Sequence, residues 1–208
     1  MRASGRVLRV MRAAEWLCVV VGLVAFAWFG TGQIHAAREQ AALSRELEAA
    51  RHNAAATATR TPAELAARSR APATPPALRS LVGRIDVPRL RLSALAREGV
   101  DVRTLRGSVG HVPGTALPGA PGNSAFAAHR DTFFRPLAGI RKGDAVLITT
   151  AEGIHRYTVV GTRVVQPSDV SVLRSGTRSQ LTLVTCYPFD FVGSAPQRFI
   201  VQAELATP

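Results

Sequence analysis

Three residues that are far apart in the sequence, Cys186, Arg198 and His129, carry side chains suited to acyl transfer. A thiolate attacks a peptide carbonyl to form a thioester, and a nearby guanidinium favours the thiolate and can hold the oxyanion that develops. Because a guanidinium never gives up its proton, a separate group must carry protons. His129 titrates in the useful range, so it is our candidate to protonate the leaving amine and to deprotonate the attacking one.

The segments around these residues read as strands that end or begin at the reactive positions. Residues 180–185 and 199–203 are rich in β-branched or aromatic side chains and are flanked by turn residues. Antiparallel pairing of these two strands brings Cys186, at the end of one, beside Arg198, at the start of the next. His129 closes a third strand-like run at 124–128.

Each reactive residue also has a purely structural interpretation. Cys186 could fill a buried strand end as a small apolar side chain, Arg198 could be a solvated edge residue, and His129 could be polar surface. The joint placement of all three at strand ends favours chemistry, because functional residues are often carried by loops on a rigid scaffold.

Ordered motifs over residues 81–208 resemble the sortase family of membrane-anchored cysteine transpeptidases. They are TLVTC at 182–186, PQRF at 196–199, GHVPGTALPG at 110–119, GN at 122–123 and HRDTFF at 129–134. The upstream motifs look most like the class D branch. The resemblance implies an eight-stranded sortase-type β-barrel with Cys186, His129 and Arg198 at the three catalytic positions. Ala128 departs from the branch, in which glycine commonly precedes the histidine.

The resemblance also implies a substrate and a reaction. The expected substrate is an exported protein with an LPxTG-like sorting motif near its C-terminus, and the expected acceptor is an amine, either a peptidoglycan precursor or a pilin lysine. Thr185, next to the nucleophile, is predicted to bind substrate by shaping the pocket through its hydroxyl or its backbone. The loop at 187–195, with Phe189 and Phe191, is the predicted apolar wall. No cofactor and no metal are predicted, since no Cys, His or carboxylate cluster has metal-ligand spacing.

Two other classes of function stay open. One is a different Cys–His hydrolase of the cell envelope, such as a papain-like peptidase or an L,D-transpeptidase. The all-β pattern and the spacing of twelve positions between Cys186 and Arg198 argue against both. The other is a non-catalytic, membrane-tethered β-domain that binds an envelope protein or uses Cys186 as a redox sensor.

From residue 81 the sequence alternates short apolar strands with turns, as in a closed or nearly closed all-β domain. The predicted strands are 82–87, 124–128, 145–149, 155–165, 180–185 and 199–203. Residues 101–106 predict one helical turn capped by Asp101, and residues 151–153 predict a hairpin turn.

Length and charge bound the remaining possibilities. A chain of 208 residues holds one catalytic domain and an anchor, with no room for a second enzyme domain. The net charge of +12 is divided evenly, since residues 1–80 and 81–208 carry +6 each. Nucleic-acid binding is not predicted, because the aromatic residues cluster around the catalytic segments and not on a basic face.

The N-terminus predicts a single-pass membrane anchor. A basic cytoplasmic segment at 1–15, containing four arginines, precedes an apolar run at 16–34 that holds Trp16 and Trp28. The strongly apolar part is short for a span of about 20 residues, so a cleaved signal peptide is the alternative. Either version exports the catalytic domain, to the periplasm or to the cell exterior.

Residues 35–80 are predicted to connect this anchor to the catalytic domain at 81–208. Leu43 and Leu47 give residues 40–51 a thin apolar stripe, which we interpret as a solvated helical stalk. Residues 52–80 are rich in Ala, Thr, Arg and Pro and predict a semi-extended tether.

Three further residues are weighed for chemistry. His111 lies in a turn-rich segment and is predicted to shape the pocket or a loop. Asp131, two positions beyond His129, could orient its imidazole. Cys18 lies in the apolar run, where it cannot readily reach Cys186, so both thiols are predicted to be free.

Overall fold

A computed structural model describes residues 4–57 and 75–206 of the chain. It divides into two compact units, Met1–Arg38 and Glu39–Pro208. Helix α1 spans Ser4–Thr57. None of the helices in the described ranges combines the length and the hydropathy of a membrane span. The anchor at 16–34 therefore stays a prediction.

Eight strands of the second unit form a closed barrel, which confirms the β-barrel part of the predicted fold class. They are β1 (Leu81–Val87), β2 (Leu92–Glu98), β3 (Val109–His111), β4 (Gly122–Ala127), β5 (Ala145–Thr149), β6 (Ile154–Val165), β7 (Ser179–Tyr187) and β8 (Gln197–Leu205). The order around the barrel is β1-β2-β3-β4-β7-β8-β6-β5. Two neighbouring pairs, β2 with β3 and β4 with β7, run parallel, and the others run antiparallel.

Alternation along the strands fills the barrel interior with apolar side chains. On β4 the side chain of Phe126 is fully buried, and on β7 Leu181 and Leu183 are 1% exposed. These residues share one core cluster with Phe134 and Tyr157. Since successive strand residues point to opposite faces, Cys186 and its alternate neighbours on β7 lie on the outer face of the barrel.

The six predicted strands are all present, with ends that differ by up to two residues, whereas β2 and β3 were not predicted. Two turn predictions are confirmed. Residues 151–153 join β5 to β6, and a second helix, α2 (Val102–Gly107), follows Asp101. The Asp101 carboxylate accepts from the Thr104 hydroxyl at 2.7 Å and from two backbone N–H groups. The Thr104 hydroxyl and N–H, together with Arg79, lower the pKa of Asp101 from 3.8 to about 2.

The expectation of a solvated stalk at 40–51 is wrong. Within the second unit, Leu43 and Leu47 of α1 are 0% and 3% exposed and pack with Leu95 of β2. The Gln40 side chain accepts from the backbone N–H of Leu95 at 2.7 Å and donates to the carbonyl of Gly107 at 2.9 Å. These two leucines pack on Leu95 of β2 and Leu81 of β1, so a stripe of two leucines is buried although it is short.

The predicted tether at 52–80 is also shorter than expected. Helix α1 continues to Thr57, and Leu81 already belongs to β1. Residues 58–74, which carry most of the tether prediction, lie outside the described residues.

Candidate functional site

Cys186 and Arg198 face each other across neighbouring strands. The register of β7 and β8 places Cys186 directly opposite Arg198, next to the pair formed by Tyr187 and Gln197. Directly opposed residues of an antiparallel pair have Cα atoms about 5 Å apart and point to the same face. Both side chains are half-buried. The sulfur and the guanidinium therefore share one patch of the outer face, as the sequence predicted.

His129 reaches the same patch from the other side of β7. In the parallel pairing of β4 and β7, Ala127 lies opposite Val184. The backbone N–H of Ala128 donates to the carbonyl of Val184 at 3.3 Å, so the pairing continues one residue beyond the strand. The next position, His129, is then level with Cys186 on the outer face. The backbone turns immediately afterwards, because the N–H of Phe134 donates to the carbonyl of His129 at 3.2 Å.

The Arg198 guanidinium is held by the loop that precedes its strand. Its Nη1 atom donates to the carbonyl of Gln197 at 2.9 Å and to that of Ala195 at 3.3 Å. Both bonds use one nitrogen of the guanidinium, which has five N–H donors in all. The remaining N–H groups are therefore left for an oxyanion at the patch.

Thr185 lies on the opposite face of β7 from Cys186. It is 2% exposed, and its hydroxyl donates to the carbonyl of Ala128 at 2.8 Å. The hydroxyl therefore fixes the residue that precedes His129. Direct contact of Thr185 with substrate stays a prediction, and this geometry gives its side chain a positioning contact instead.

Ala128, the departure from the branch pattern, belongs to the interior. Its side chain is 5% exposed and lies in the apolar core cluster with Phe126 and Leu183. The extra methyl group is therefore accommodated on the core side of β4 and does not enter the patch with Cys186.

Two arginines that sequence reasoning missed hold the loop between β7 and β8. The Nη2 atom of Arg130 donates to the carbonyls of Phe191 at 2.5 Å and Gly193 at 2.9 Å, and its guanidinium lies 5.9 Å from the Phe191 ring centroid. Nη1 of Arg135 donates to the carbonyl of Phe189 at 3.2 Å. The only signal in the sequence was the position of Arg130 and Arg135, one and six residues after His129.

The predicted apolar wall in this loop needs one correction. Phe189 is 9% exposed and packs edge-on against Phe199 and Tyr187, at ring-centroid distances of 5.2 Å and 6.1 Å. It belongs to the core, because a strand-end aromatic ring gains more from burial than from exposure. Phe191 and Val192, 44% and 93% exposed, are the loop side chains that face solvent.

His111 has a structural role, as its predicted loop-shaping function required. It is 1% exposed on β3, with Nδ1 lying 2.6 Å from Oε2 of Glu98 and Nε2 lying 3.0 Å from the carbonyl of Ala116. His111 thereby ties β2 to the loop between β3 and β4. Asp131 is exposed, and between these two described residues the structure shows no hydrogen bond from Asp131 to His129.

Both thiols are free, as predicted. Cys18 is exposed on α1, and Cys186 is half-buried at the patch. The strand registers place Cys186 opposite Arg198 and level with the position that follows Ala128, so the roles of the three residues are taken up below as a proposal.

A family model described as the sortase domain matches residues 85–206, more than half of the chain. The chain belongs to the sortase family. Among curated sortases, Sortase D of Bacillus subtilis (strain 168) is 32% identical over 126 residues, which cover 60% of this chain and 64% of that protein. Sortase A of Listeria monocytogenes is 29% identical over 130 residues, which cover 61% and 57%. The matches therefore span less than two thirds of the length of these relatives.

Solved sortase structures share the fold. A Sortase D5 transpeptidase of Clostridium perfringens superposes with a TM-score of 0.64 over 82% of this chain and 99% of that one, at 24% identity. A lid mutant of sortase A from Corynebacterium diphtheriae gives a TM-score of 0.59 at 28% identity, over 64% and 73% of the two chains. The similarity to Sortase D agrees with the class D motifs read from the sequence.

Proposed function

We propose that this sortase is a cysteine transpeptidase that cleaves an LPxTG-like motif near the C-terminus of exported proteins. The observation that carries the proposal is the register of three adjacent strands. It brings Cys186, Arg198 and the position of His129 to one patch of the outer face.

The reaction begins when the Cys186 thiolate attacks the carbonyl carbon of the scissile peptide bond. A carbon–sulfur bond forms, and the carbonyl oxygen becomes an oxyanion that accepts hydrogen bonds from Arg198. The intermediate collapses as the carbon–nitrogen bond breaks, and protonated His129 gives its proton to the departing amine. The product of this half is a thioester on Cys186.

The second half reverses these steps with a new amine. His129 takes a proton from the acceptor amine as its nitrogen attacks the thioester carbon, a new carbon–nitrogen bond forms, and the thiolate leaves. Water in place of the amine gives hydrolysis as a side reaction. The proposed acceptors are a peptidoglycan precursor or a pilin lysine. A solved Clostridium perfringens sortase C contains a C-terminal cell wall sorting motif, which supports a peptide of this class.

The test of this function is a set of substitutions assayed with a labelled sorting peptide and several amines. Cys186→Ala should abolish cleavage and the acyl-enzyme seen by mass spectrometry. Cys18→Ala is the matched control, because Cys18 is the other cysteine of the chain. His129→Gln should lower kcat/KM by about 100- to 10,000-fold, whereas His155→Gln should not. Arg198→Gln should cost about 100- to 1,000-fold.

The outcomes also separate the alternatives. A simple Cys–His peptidase would form the acyl-enzyme yet release it to water at the same rate with or without added amine. A non-catalytic β-domain would show no acyl-enzyme and a Cys186 that is unreactive toward mild alkylation at neutral pH. Full activity in Cys186→Ala would overturn the assignment of the nucleophile.

We further propose that residues 16–34 anchor the protein in the cytoplasmic membrane, with its N-terminus inside and the catalytic domain outside. The support is the apolar run and the arginines that precede it. Membrane fractionation of the full chain should recover it in the membrane, resistant to extraction by alkaline carbonate. External protease should digest residues 75–206 in intact spheroplasts, and protection of that domain would contradict the proposed orientation.

A further inference from the structure

The last part of β6 lies at an open edge of the barrel sheet. Strand β5 pairs only with the first part of β6. The segment before β5 extends this pairing by one residue, because the N–H of Val159 donates to the carbonyl of Asp144 at 2.9 Å and the N–H of Gly143 donates to the carbonyl of Val159 at 2.8 Å. Beyond Val159, β6 pairs with β8 alone, as far as Val165. Residues 160–165, which we call the β6 edge, therefore have a neighbouring strand on one side only.

The β6 edge is also open to solvent. Among residues 75–206, its backbone makes no hydrogen bond to any element except β8. Val160 and Val164 are 41% and 40% exposed, and Thr162 and Arg163 between them are exposed as well. Since successive strand residues point to opposite faces, this stretch meets solvent on both faces and along one side. A strand edge of this kind is a template on which another strand can pair.

The sequence of the β6 edge is complementary to itself. The free stretch lies between Val159, whose backbone is already bonded, and the strand end at Val165, so Thr162 is at its centre. Antiparallel pairing of two copies about this centre places Thr162 opposite Thr162 and Val160 opposite Val164, which are both favourable cross-strand pairs. Arg163 then lies opposite Gly161, which has no side chain for the guanidinium to meet.

We propose that two copies of this chain associate through their β6 edges, in antiparallel register about a two-fold axis at Thr162. The contact uses the same surface on both copies, so it closes as a dimer and does not propagate. Because only about five residues of each copy pair, the contact is smaller than a standard interface and gives a weak dimer, populated at high protein concentration.

The proposed dimer joins the two candidate sites through one continuous sheet. Val165, at the end of the β6 edge, pairs with Arg198, and Arg198 pairs with Cys186. The strand order across the two-fold axis is therefore β7-β8-β6-β6-β8-β7, with a cysteine on each outer strand. The association itself does not depend on the proposed transfer reaction.

Disulfide trapping tests the register of this pairing. In the full chain with Cys18→Ala and Cys186→Ala, Thr162→Cys supplies the one thiol of each copy. The two-fold axis brings the two Cα atoms to about 5 Å, a separation that a disulfide can bridge. Thr158→Cys is the matched control, because Thr158 is also an exposed threonine of β6 but has a strand on each side. Mild oxidation at about 100 µM protein should trap the Thr162→Cys dimer at least about tenfold faster than the Thr158→Cys dimer.

Sedimentation velocity measures the affinity without a new thiol. Val164→Lys places a charge opposite Val160 of the second copy and should raise the Kd of the dimer at least about tenfold. Val170→Lys is the matched control, because Val170 is 68% exposed in the same unit and lies outside the β6 edge. Its dimer should have the Kd of the parent. Circular dichroism checks that both variants are folded, which we expect since both valines are exposed.

Equal trapping of Thr162→Cys and Thr158→Cys would indicate random collision and overturn the proposal, as would an unchanged Kd in Val164→Lys. A parent that sediments as a monomer up to about 300 µM contradicts it as well. If Thr162→Cys is trapped in cells with a different protein and not with itself, the edge serves another partner and the proposal is wrong. If Thr162→Cys does not fold, the Kd of Val164→Lys decides. Since the trapping variants lack Cys186, failure of the transfer reaction leaves this test intact.

Discussion

At the residue scale, His111 and Glu98 form a hydrogen-bonded pair of titratable side chains that is buried in the barrel. The Nδ1 atom of the His111 imidazole lies 2.6 Å from Oε2 of Glu98, and its Nε2 atom lies 3.0 Å from the carbonyl of Ala116 and 3.1 Å from the Thr115 hydroxyl. His111 and Glu98 are 1% and 5% exposed, so each side chain depends on the other for a hydrogen bond away from water. Removing one partner of such a pair leaves the other buried without compensation.

Glu98→Ala is expected to lower the free energy of unfolding by about 3–5 kcal/mol. Glu98→Gln, which keeps an acceptor for the ring, should cost about 1–3 kcal/mol. Urea denaturation followed by circular dichroism measures both, with the exposed Glu152→Ala as a control expected to stay within about 0.5 kcal/mol of the parent.

The same variants separate a structural role for His111 from a catalytic one. Because the pair lies within the barrel wall, we expect kcat of the folded Glu98→Gln protein to stay within about twofold of the parent. A variant with parental stability and a large loss of kcat would instead place His111 in the reaction.

Residue types alone indicated the candidate nucleophile, proton carrier and cation. The contacts that hold these three residues in place could not be predicted from residue types. The hydroxyl of Thr185 and the guanidinium of Arg130 act on backbone carbonyls, and a sequence does not show which carbonyls lack a partner. Phe189 was misassigned for a related reason, since an aromatic residue in a loop can turn either to solvent or to the core.

At the element scale, the C-terminal part of α1 is a component of the compact unit that contains the barrel. Leu43 is fully buried against Leu95, and the Gln40 side chain accepts a hydrogen bond from the N–H of Leu95, which precedes the residues of β2 that pair with β3. Gln40 thus takes the place that a neighbouring strand would have at this position.

Leu43→Ala in the full chain should lower the free energy of unfolding of the barrel by about 2–4 kcal/mol, because it removes buried apolar surface and leaves a cavity. The matched control is Leu78→Ala, since Leu78 is 62% exposed in the same unit. Denaturant unfolding monitored on the barrel measures both variants. Equal stability of Leu43→Ala and the parent would show that the helix does not support the barrel in solution.

The two strands that the sequence did not predict illustrate where local patterns fail. Strand β2 reads LSALARE, a composition that favours helix, and only its pairing with β1 and β3 makes it a strand. Strand β3 contains Gly110 and lies in the segment around His111 that was described as turn-rich. A Cβ atom there would lie 2.3 Å from the carbonyl oxygen of Gly99, so the glycine is required by a close approach of two backbones.

At the scale of the whole molecule, the sequence predicted an apolar N-terminal segment followed by one all-β domain, and the eight-stranded barrel confirms the second part. The boundary differs from the prediction. The second compact unit begins at Glu39, far ahead of the first strand at Leu81. Composition could not reveal this boundary, because a stripe of two leucines has the same appearance on a solvated helix as on a docked one.

The distribution of aromatic residues makes the chain its own optical probe. Both tryptophans, Trp16 and Trp28, are in α1, whereas both tyrosines are in the barrel, Tyr157 in its interior and Tyr187 at the end of β7, one residue after Cys186. Excitation at long wavelength, where only tryptophan absorbs, therefore gives emission from the helix alone. Excitation at shorter wavelength adds tyrosine emission from the barrel. Since Tyr157 is shielded from solvent, a change in tyrosine emission on acylation would come from Tyr187, the residue that follows Cys186 on β7, so thioester formation could be followed without a dye.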